Sequence, residues 1–225
     1  GSGDYLTISR NSTSDFNAGS NDYTLEFWIN KSSSTNNGYN CVFDSGRIQC
    51  FYIASSQKIE FYSLDTPGNY IVTMTTPNNS VPKGQWSHVA ICRNGSDHKV
   101  YINGIVQVSA TSSTAVGDAT LDPTIGQNSN QNYIAAQISN LRWVNGTAVY
   151  TSSFRPTYEP LTNITNTKIL CCNNSSTTGS TVTPGTITAN GNPTASTDSP
   201  FDDPAGFVFG ENGDQGIIKT GSYIG

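Results

Sequence analysis

The chain has 225 residues, and only 12% of them are charged, about half of the roughly 25% that is typical of soluble domains. This length suits one large all-β domain, or one domain plus an appendage, better than two independent domains. The formal net charge of -5, without a cluster of Lys and Arg, argues against a nucleic-acid partner, because phosphate binding needs a concentrated basic face. No apolar run approaches the roughly 18 residues that cross a bilayer, and the N-terminal stretch lacks the regions of a signal peptide. We therefore expect no membrane insertion.

Short β-rich runs separated by Gly, Asn, Pro and Ser predict strands along most of the chain. No segment has a convincing helical stripe. So many short strands predict an all-β fold, a two-sheet antiparallel jelly-roll sandwich. In chain order the predicted strands are DYLTIS (4–9), YTLEFWIN (23–30), CVFDS (41–45), IQCFYIAS (48–55), KIEFYSL (58–64), YIVTMTT (70–76), WSHVAICR (86–93), HKVYIN (98–103), IVQVS (105–109), PTIGQ (123–127), YIAAQISNLRWVN (133–145) and TITA (186–189).

A three-strand meander is predicted between Trp86 and Ser109, because two Asn-Gly pairs in this stretch favour tight turns. The first turn would pair Arg93 with His98. His88 then lies five residues further along its strand, roughly 17 Å from this pair, so the two histidines cannot share a metal ion. Both histidines are interpreted as structural or surface residues, and Trp86 is interpreted as a core anchor.

Several of these runs resemble the laminin G-like, concanavalin A-like jelly rolls, chiefly YTLEFWIN and GQWSHVAICRNGSDHKVYINGIVQ (84–107). The later runs ISNLRWVNGTAVYTSSFRPTYEPL (138–161) and TNTKILCC (165–172) are similar to the version of this family found in virion proteins of bacteriophages, especially marine phages. The resemblance covers roughly residues 3 to 201. It implies two antiparallel sheets with loops at the rim, where some members bind calcium, sugars or protein ligands.

The chain divides on this basis into a laminin G-like jelly-roll domain at 1–200 and a C-terminal arm or linker at 201–225. The arm resembles segments that join such jelly rolls to further modules. Its apolar residues lie among turn residues, so the arm would either form a small hairpin or extend onto a neighbouring subunit. The candidate residues for contact between subunits are Phe207, Phe209, Ile217, Ile218 and Tyr223.

Five cysteines are an odd number, which a secreted disulfide framework does not normally have. We interpret them mainly as small buried or loop residues, and a bridge from Cys41 to Cys50 across a hairpin stays open as an alternative. Assembly of a virion protein in the reducing cytoplasm of a bacterium, which the resemblance implies, agrees with unpaired cysteines.

Glycoside hydrolases share this jelly roll, and their retaining members need two carboxyl groups about 5 to 5.5 Å apart. Acidic residues two positions apart on a strand would meet this requirement, because they point to the same face. No glutamate of the chain has such a neighbour. We therefore expect no enzymatic activity; the glutamates are Glu26, Glu60, Glu159 and Glu211.

Sugar recognition would use exposed aromatic rings beside polar groups, on loops held by a rigid scaffold. Tyr39, Tyr70 and Tyr133 follow loop sequences, and Trp28 lies on the strand face opposite Phe27. These four aromatic residues are the candidate ligand-binding residues, although tyrosines at strand starts also serve as packing residues.

No cofactor is required by this reading, and calcium is the one ion for which the sequence offers ligands. Asp44, Asp118 and Asp122 are loop carboxylates that could supply oxygen ligands to calcium. The spacing of an EF-hand is missing, and Asp residues in turns usually cap the local backbone.

The leading hypothesis is a non-enzymatic structural or adhesion protein of a virion, as a capsid decoration, tail or fibre component. It would be assembled in the host cytoplasm as a homo-oligomer, and it would bind host-surface glycan or neighbouring virion proteins. The low charge suits a protein present in many copies, whose weak sites act together. The alternatives are an extracellular, lectin-like adhesion module of a cellular organism and a glycan hydrolase of the same fold.

Overall fold

The computed structural model describes residues 3–32, 38–119 and 121–201, and two short strands in the C-terminal arm. In this part of the chain the one helix is a 3₁₀ turn at Thr13–Asp15, and no helix is long and apolar enough to cross a membrane. The strands are β1 (Tyr5–Ile8), β2 (Tyr23–Lys31), β3 (Tyr39–Asp44), β4 (Ile48–Ile53), β5 (Lys58–Leu64), β6 (Tyr70–Thr75), β7 (Trp86–Asn94), β8 (Asp97–Ile102), β9 (Ile105–Thr111), β10 (Thr124–Ile125), β11 (Ala136–Asn145), β12 (Thr167–Cys171), β13 (Ser180–Val182), β14 (Ile187–Asn190), β15 (Gly206–Val208) and β16 (Ile217–Lys219).

Fourteen of these strands form two seven-stranded antiparallel sheets that share one apolar core. The first sheet has the order β14-β1-β10-β3-β4-β5-β6, and the second has the order β13-β12-β11-β2-β7-β8-β9. The predicted all-β jelly-roll sandwich is therefore confirmed. Strands β12 and β13, which extend the second sheet beyond β11, were not predicted as strands; they have only five and three residues, and polar residues flank them in the sequence.

The C-terminal arm contains a hairpin, in which β15 pairs with β16 apart from the two large sheets. Phe207, Ile217 and Ile218 lie in the strands of this hairpin. Phe209 and Tyr223 lie outside the described residues. The sequence allowed both a hairpin and an extended arm, and the local pairing is the hairpin; contact with a neighbouring subunit stays a prediction.

The predicted register of the first Asn-Gly hairpin is confirmed, because Arg93 pairs with His98 between β7 and β8. His98 is buried on the core side, where its Nδ1 atom lies 3.4 Å from the Tyr23 hydroxyl. His88 is buried on the opposite, outer side of the second sheet, beside Trp28. Opposite faces and separate partners keep the two imidazole rings apart, as the spacing predicted.

One interpretation from the sequence is wrong, and the open alternative of a disulfide bridge is not realised. Trp86 is not a core anchor: it is only half-buried, at one end of the sandwich, and its indole Nε1 donates to Asp198 Oδ1 at 3.4 Å. Cys41 and Cys50 do not form a bridge, and all five cysteines are free thiols. The reason is the register between β3 and β4, which pairs Cys41 with Phe51 and places Cys50 on the opposite, core-facing side.

Trp143 links the two sheets through the core. It is buried, and its ring lies nearly parallel to that of Phe43 in the first sheet, with ring centroids 6.4 Å apart. The ring of Tyr23, on the neighbouring strand β2, lies 5.2 Å from it. A side chain of this size contacts both layers, so its removal would leave a cavity where the sheets meet.

Residues 146–165 cover part of the outer face of the second sheet, between β11 and β12. The rings of Tyr150 and Phe154 stack on each other at 3.5 Å, and both pack against a buried cluster of Ala90, Cys92 and Tyr101 on that face. We call residues 146–165 the covering segment. This part of the second sheet therefore has apolar packing on both sides, against the first sheet on one side and against the covering segment on the other.

The covering segment is attached to the sheet by a buried cluster of polar side chains around Glu26. One carboxylate oxygen of Glu26 accepts from Arg142 Nε at 2.8 Å and Nη2 at 2.6 Å. The other oxygen accepts from the Tyr150 hydroxyl at 2.9 Å and lies 3.3 Å from His88 Nε2. Burial alone would raise the pKa of Glu26, but the hydrogen bond with His88 and the charge of Arg142 lower it below its usual value. The carboxylate is thus held in its charged form.

Replacement of Trp143 by Ala should lower the free energy of unfolding by about 3–5 kcal/mol, because it empties a space in the core. Trp86→Ala is the matched control, and it should cost on the order of 1–2 kcal/mol because this ring is only half-buried. Urea denaturation of both variants, followed by tryptophan fluorescence, measures the two losses. Equal losses would contradict the assignment of Trp143 as the residue that joins the sheets.

Replacement of Glu26 by Gln should destabilise the protein by about 3–5 kcal/mol, because it leaves Arg142 buried without its counter-charge. The pKa of Glu26 is lower in the folded chain than its ordinary value of 4.5, so its contribution to stability is present above pH 4.5 and is lost as the pH falls through the folded pKa. The wild type should therefore lose stability steeply in acid.

Urea midpoints measured from about pH 7 down to about pH 3 test this pH dependence. Glu26→Gln should lack the steep acid component, whereas Glu159→Gln, at an exposed glutamate, should retain the wild-type profile. Identical profiles for Glu26→Gln and the wild type would show that Glu26 is not the group responsible.

Candidate functional site

Four aromatic rings form a row across the outer face of the first sheet. Four neighbouring strands contribute one ring each: Tyr39 on β3, Phe51 on β4, Tyr62 on β5 and Tyr70 on β6. Consecutive ring centroids are 5.9, 5.9 and 5.3 Å apart. We call these four residues the aromatic row. Because adjacent strands are spaced by about 4.8 Å, the row extends over roughly 14 Å.

Alternation along the strands places these rings on the outer face. In β5, Ile59 and Phe61 face the core, so Lys58, Glu60 and Tyr62 point outward. In β4 the same alternation sends Phe51 outward. Phe51 forms a small apolar cluster with Cys41 and Ile53 on this face, and Tyr62 packs on this cluster.

The two ends of the row are exposed and its centre is packed. Tyr70 and Tyr39 have 65% and 48% of their surface exposed, whereas Phe51 is only 5% exposed. Large exposed rings on paired strands, supported by buried neighbours, are typical of a binding surface, because a ligand can cover them without ordering a loop.

Polar groups lie beside the rings. The Tyr62 hydroxyl donates to Glu60 Oε2 at 2.5 Å, and Lys58 Nζ lies 3.6 Å from Glu60 Oε1. Burial, and then the neighbouring Glu60 carboxylate, raise the pKa of Tyr62. The pKa of Tyr39 is also raised, chiefly by its interaction with Glu60. Both phenols are therefore neutral around pH 7, and the row presents rings next to hydroxyl and carboxylate groups.

The structure brings together two of the four aromatic residues that the sequence suggested as ligand contacts. Tyr39 and Tyr70 form the ends of the aromatic row. Tyr133 instead is half-buried and packs on Tyr5 of β1, with ring centroids 6.2 Å apart. Trp28 lies on the second sheet, between His88 at 5.1 Å and Phe201 at 5.8 Å.

Phe51 and Tyr62 complete the row, and Glu60 lies beside it. None of these three residues was identified as a ligand contact from the sequence. The available signal was the alternation in KIEFYSL, which puts Glu60 and Tyr62 on one face of the strand. The pattern is ambiguous, because Phe61 and Tyr62 are adjacent aromatic residues and either could be the core residue. Only the packing of Phe61 against the second sheet settles which ring is outside.

The three candidate calcium ligands each have a local partner. Asp44 is buried at the β3–β4 turn, where its Oδ1 accepts from the backbone of Gly46 at 2.7 Å, and burial raises the pKa of its carboxyl group. Asp118 accepts from Asn17 at 2.8 Å, and Asp122 forms an ion pair with Arg10 at 3.0 Å. Among the described residues, no three His, Cys, Asp or Glu side chains converge on a common point that would hold a metal ion.

Solved structures resemble this chain in fold. A proposed carbohydrate-binding protein from Bacteroides ovatus superimposes with a TM-score of 0.61 at 10% identity; the match covers 96% of this chain and 57% of that protein. The receptor-binding domain of botulinum neurotoxin D gives a TM-score of 0.48 at 16% identity, over 66% of this chain and 41% of that chain. A heptameric pentraxin from Limulus polyphemus gives 0.43 at 16% identity, over 67% of this chain and 79% of that chain.

The first of these comparisons supports the lectin-like fold, and this chain spans 57% of the length of the Bacteroides protein. A search of curated proteins found no match. A sequence profile of a laminin G-like family matches residues 1–150, two thirds of the chain, and is described as the concanavalin A-like lectin/glucanases superfamily. With this match and the two-sheet sandwich together, the chain belongs to the concanavalin A-like lectin/glucanases superfamily.

Proposed function

We propose that this chain is a non-enzymatic carbohydrate-binding module whose glycan ligand lies along the aromatic row. The observation that carries this proposal is the row itself, in which exposed rings stand beside hydroxyl and carboxylate groups on a rigid sheet. The C–H faces of sugar rings would pack on Tyr39 and Tyr70. The sugar hydroxyls would bond to Glu60 and to the exposed threonines of β6, Thr73 and Thr75.

The placement of the glutamates supports binding over hydrolysis. Retaining hydrolysis needs a nucleophile and an acid about 5 to 5.5 Å apart. Glu60 lies at the row, where it accepts a hydrogen bond from Tyr62, whereas Glu26 belongs to the buried cluster on the other sheet. The two strand glutamates thus lie on different layers of the sandwich.

The setting that we propose is a phage virion, where this chain would be a capsid decoration, tail or fibre component assembled in the host cytoplasm. The similarity of residues 138–172 to phage virion proteins favours this setting, and five free thiols suit assembly in a reducing compartment. Its partners would be host-surface glycan, other virion proteins and copies of itself. Weak single sites would gain strength from many copies on one particle.

Replacement of Tyr70 by Ala should weaken glycan binding about tenfold, a loss of about 1.4 kcal/mol, because it removes the most exposed ring of the row. Affinity electrophoresis against neutral polysaccharides and bacterial lipopolysaccharide measures the change. Tyr158→Ala is the matched control, because Tyr158 is 66% exposed but lies in the segment that covers the second sheet. Equal binding by the two variants would show that the aromatic row is not the glycan-binding surface.

Two further measurements on the same polysaccharides complete the test. Treatment with EDTA should not change how strongly the polysaccharide retards the wild-type protein in the gel, because the polar groups of the row belong to the protein. A loss of binding would instead show that calcium has a role. Release of reducing ends from any polysaccharide would support the hydrolase alternative and contradict a pure binding function.

Shortening the chain after Phe201 should lower its oligomeric mass, if the C-terminal arm joins subunits in the proposed homo-oligomer. This end point retains Phe201, which packs on Trp28, so the jelly roll keeps its described contacts. Light scattering coupled to size-exclusion chromatography compares the two lengths, and the melting temperature checks folding. An unchanged oligomer, or a monomeric full-length chain, would remove the arm from this role.

A further inference from the structure

A cavity of about 450 Å³ lies at one end of the sandwich, between the two sheets and away from the aromatic row. It is bounded by the start of β1 in the first sheet and by the starts of β7 and β11 in the second. We call it the inter-sheet cavity. Its volume lies within the range of about 300–1,000 Å³ in which small-molecule sites are usually found.

Residues 192–198, which we call the closing segment, form one wall of the cavity. Three hydrogen bonds attach this segment to the sandwich. The backbone N–H of Asn192 donates to Asp4 Oδ1 at 2.8 Å, Gln137 Nε2 donates to Ser196 Oγ at 3.1 Å, and Trp86 Nε1 donates to Asp198 Oδ1 at 3.4 Å. These contacts run from both sheets, so the wall has a defined position.

The lining divides into an apolar floor and a polar rim. Leu6, Ile125 and Ile134, which belong to the edge of the core, form the floor. Tyr5 and Trp86 also line the cavity. The hydroxyl and amide groups of the lining include those of Gln137, Ser139, Asn174, Ser176, Thr177 and Ser196. A cavity with this lining suits a small ligand that has both an apolar face and hydroxyl groups.

The charged side chains that the structure describes in the lining are both acidic. Asp4 and Asp198 both line the cavity, and no Lys or Arg does so among the described residues. Asp198 is exposed at the mouth, with one oxygen bonded to the Trp86 indole. A carboxylate beside an aromatic ring attracts an ammonium group through its charge and through the ring face, and it repels anions.

We propose that the inter-sheet cavity binds a monosaccharide-sized ligand that carries a protonated amine, of the class of amino sugars. The ammonium group lies at the mouth beside Asp198 and Trp86, the ring covers the apolar floor, and the hydroxyls bond to the Ser, Thr and amide groups of the rim. This site is independent of the function proposed for the aromatic row, because it shares no residue with the row.

Three sugars with the same ring test the proposal: glucosamine, glucose and glucuronate, which are cationic, neutral and anionic at about pH 6. Binding is measured by NMR titration, in which the indole N–H signal of Trp86 reports on the cavity and that of the buried Trp143 serves as an internal reference. Glucosamine should bind at least about fivefold more tightly than glucose and should shift the Trp86 signal, and glucuronate should bind most weakly. This preference should shrink from about 10 mM to about 150 mM salt, because the carboxylate is exposed.

Asp198→Asn is the decisive variant, because its amide oxygen still accepts from Trp86 while the negative charge is gone. It should reduce the preference for glucosamine over glucose to less than about twofold. Asp97→Asn, at an exposed aspartate of the β7–β8 hairpin, is the matched control and should retain the wild-type preference. Equal affinities for the three sugars, or a preference that survives Asp198→Asn, would overturn the proposal.

Tyr70→Ala separates this site from the aromatic row. It should leave glucosamine binding and the Trp86 signal unchanged, whatever it does to polysaccharide binding. A loss of glucosamine binding in Tyr70→Ala would place the amine site at the row and overturn the assignment to the cavity.

Discussion

The cover on the outer face of the second sheet depends on the buried carboxylate of Glu26. This carboxylate ties Arg142 of β11 to Tyr150 of the covering segment, so an extra layer is held on the outer face of the second sheet. A charge at such a depth is tolerated only with hydrogen-bonded partners, and Glu26 has them in Arg142, Tyr150 and His88. With that face partly covered, the first sheet is the layer that presents its aromatic residues to solvent.

The aromatic rings on the outer faces of the two sheets differ in their exposure to solvent. Aromatic rings lie over the outer sides of both sheets, but those of Tyr150 and Phe154, from the covering segment, pack against the second sheet, whereas those of Tyr39 and Tyr70, on strands of the first sheet, remain exposed. The same chemical group therefore has a structural role on one sheet and a candidate binding role on the other. The difference depends on the chain connection after β11, which returns over the second sheet before it enters β12.

The aromatic row and the inter-sheet cavity, for which we propose sugar ligands, are two different environments. The row is long, open and rich in aromatic surface, which suits an extended glycan chain that lies across several strands. The cavity is closed on one side by the segment at 192–198 and carries negative charge at its mouth, which suits a single small ring. In the two proposals, a polymer lies along one layer and a single sugar ring lies at the end of the sandwich.

The sequence by itself determined the all-β class, the two-sheet sandwich and the register of the β7–β8 hairpin, because alternation and Asn-Gly turns act over a few residues. It also pointed to Tyr39 and Tyr70. The tertiary structure decided that these two tyrosines lie in one row, that Tyr133 and Trp28 lie elsewhere, and that Trp86 borders a cavity instead of the core. Alternation says which residues share a face but not what covers that face. The neighbours across strands depend on contacts between segments far apart in the chain, such as Phe61 with Tyr23 or Asp198 with Trp86, which no local pattern encodes.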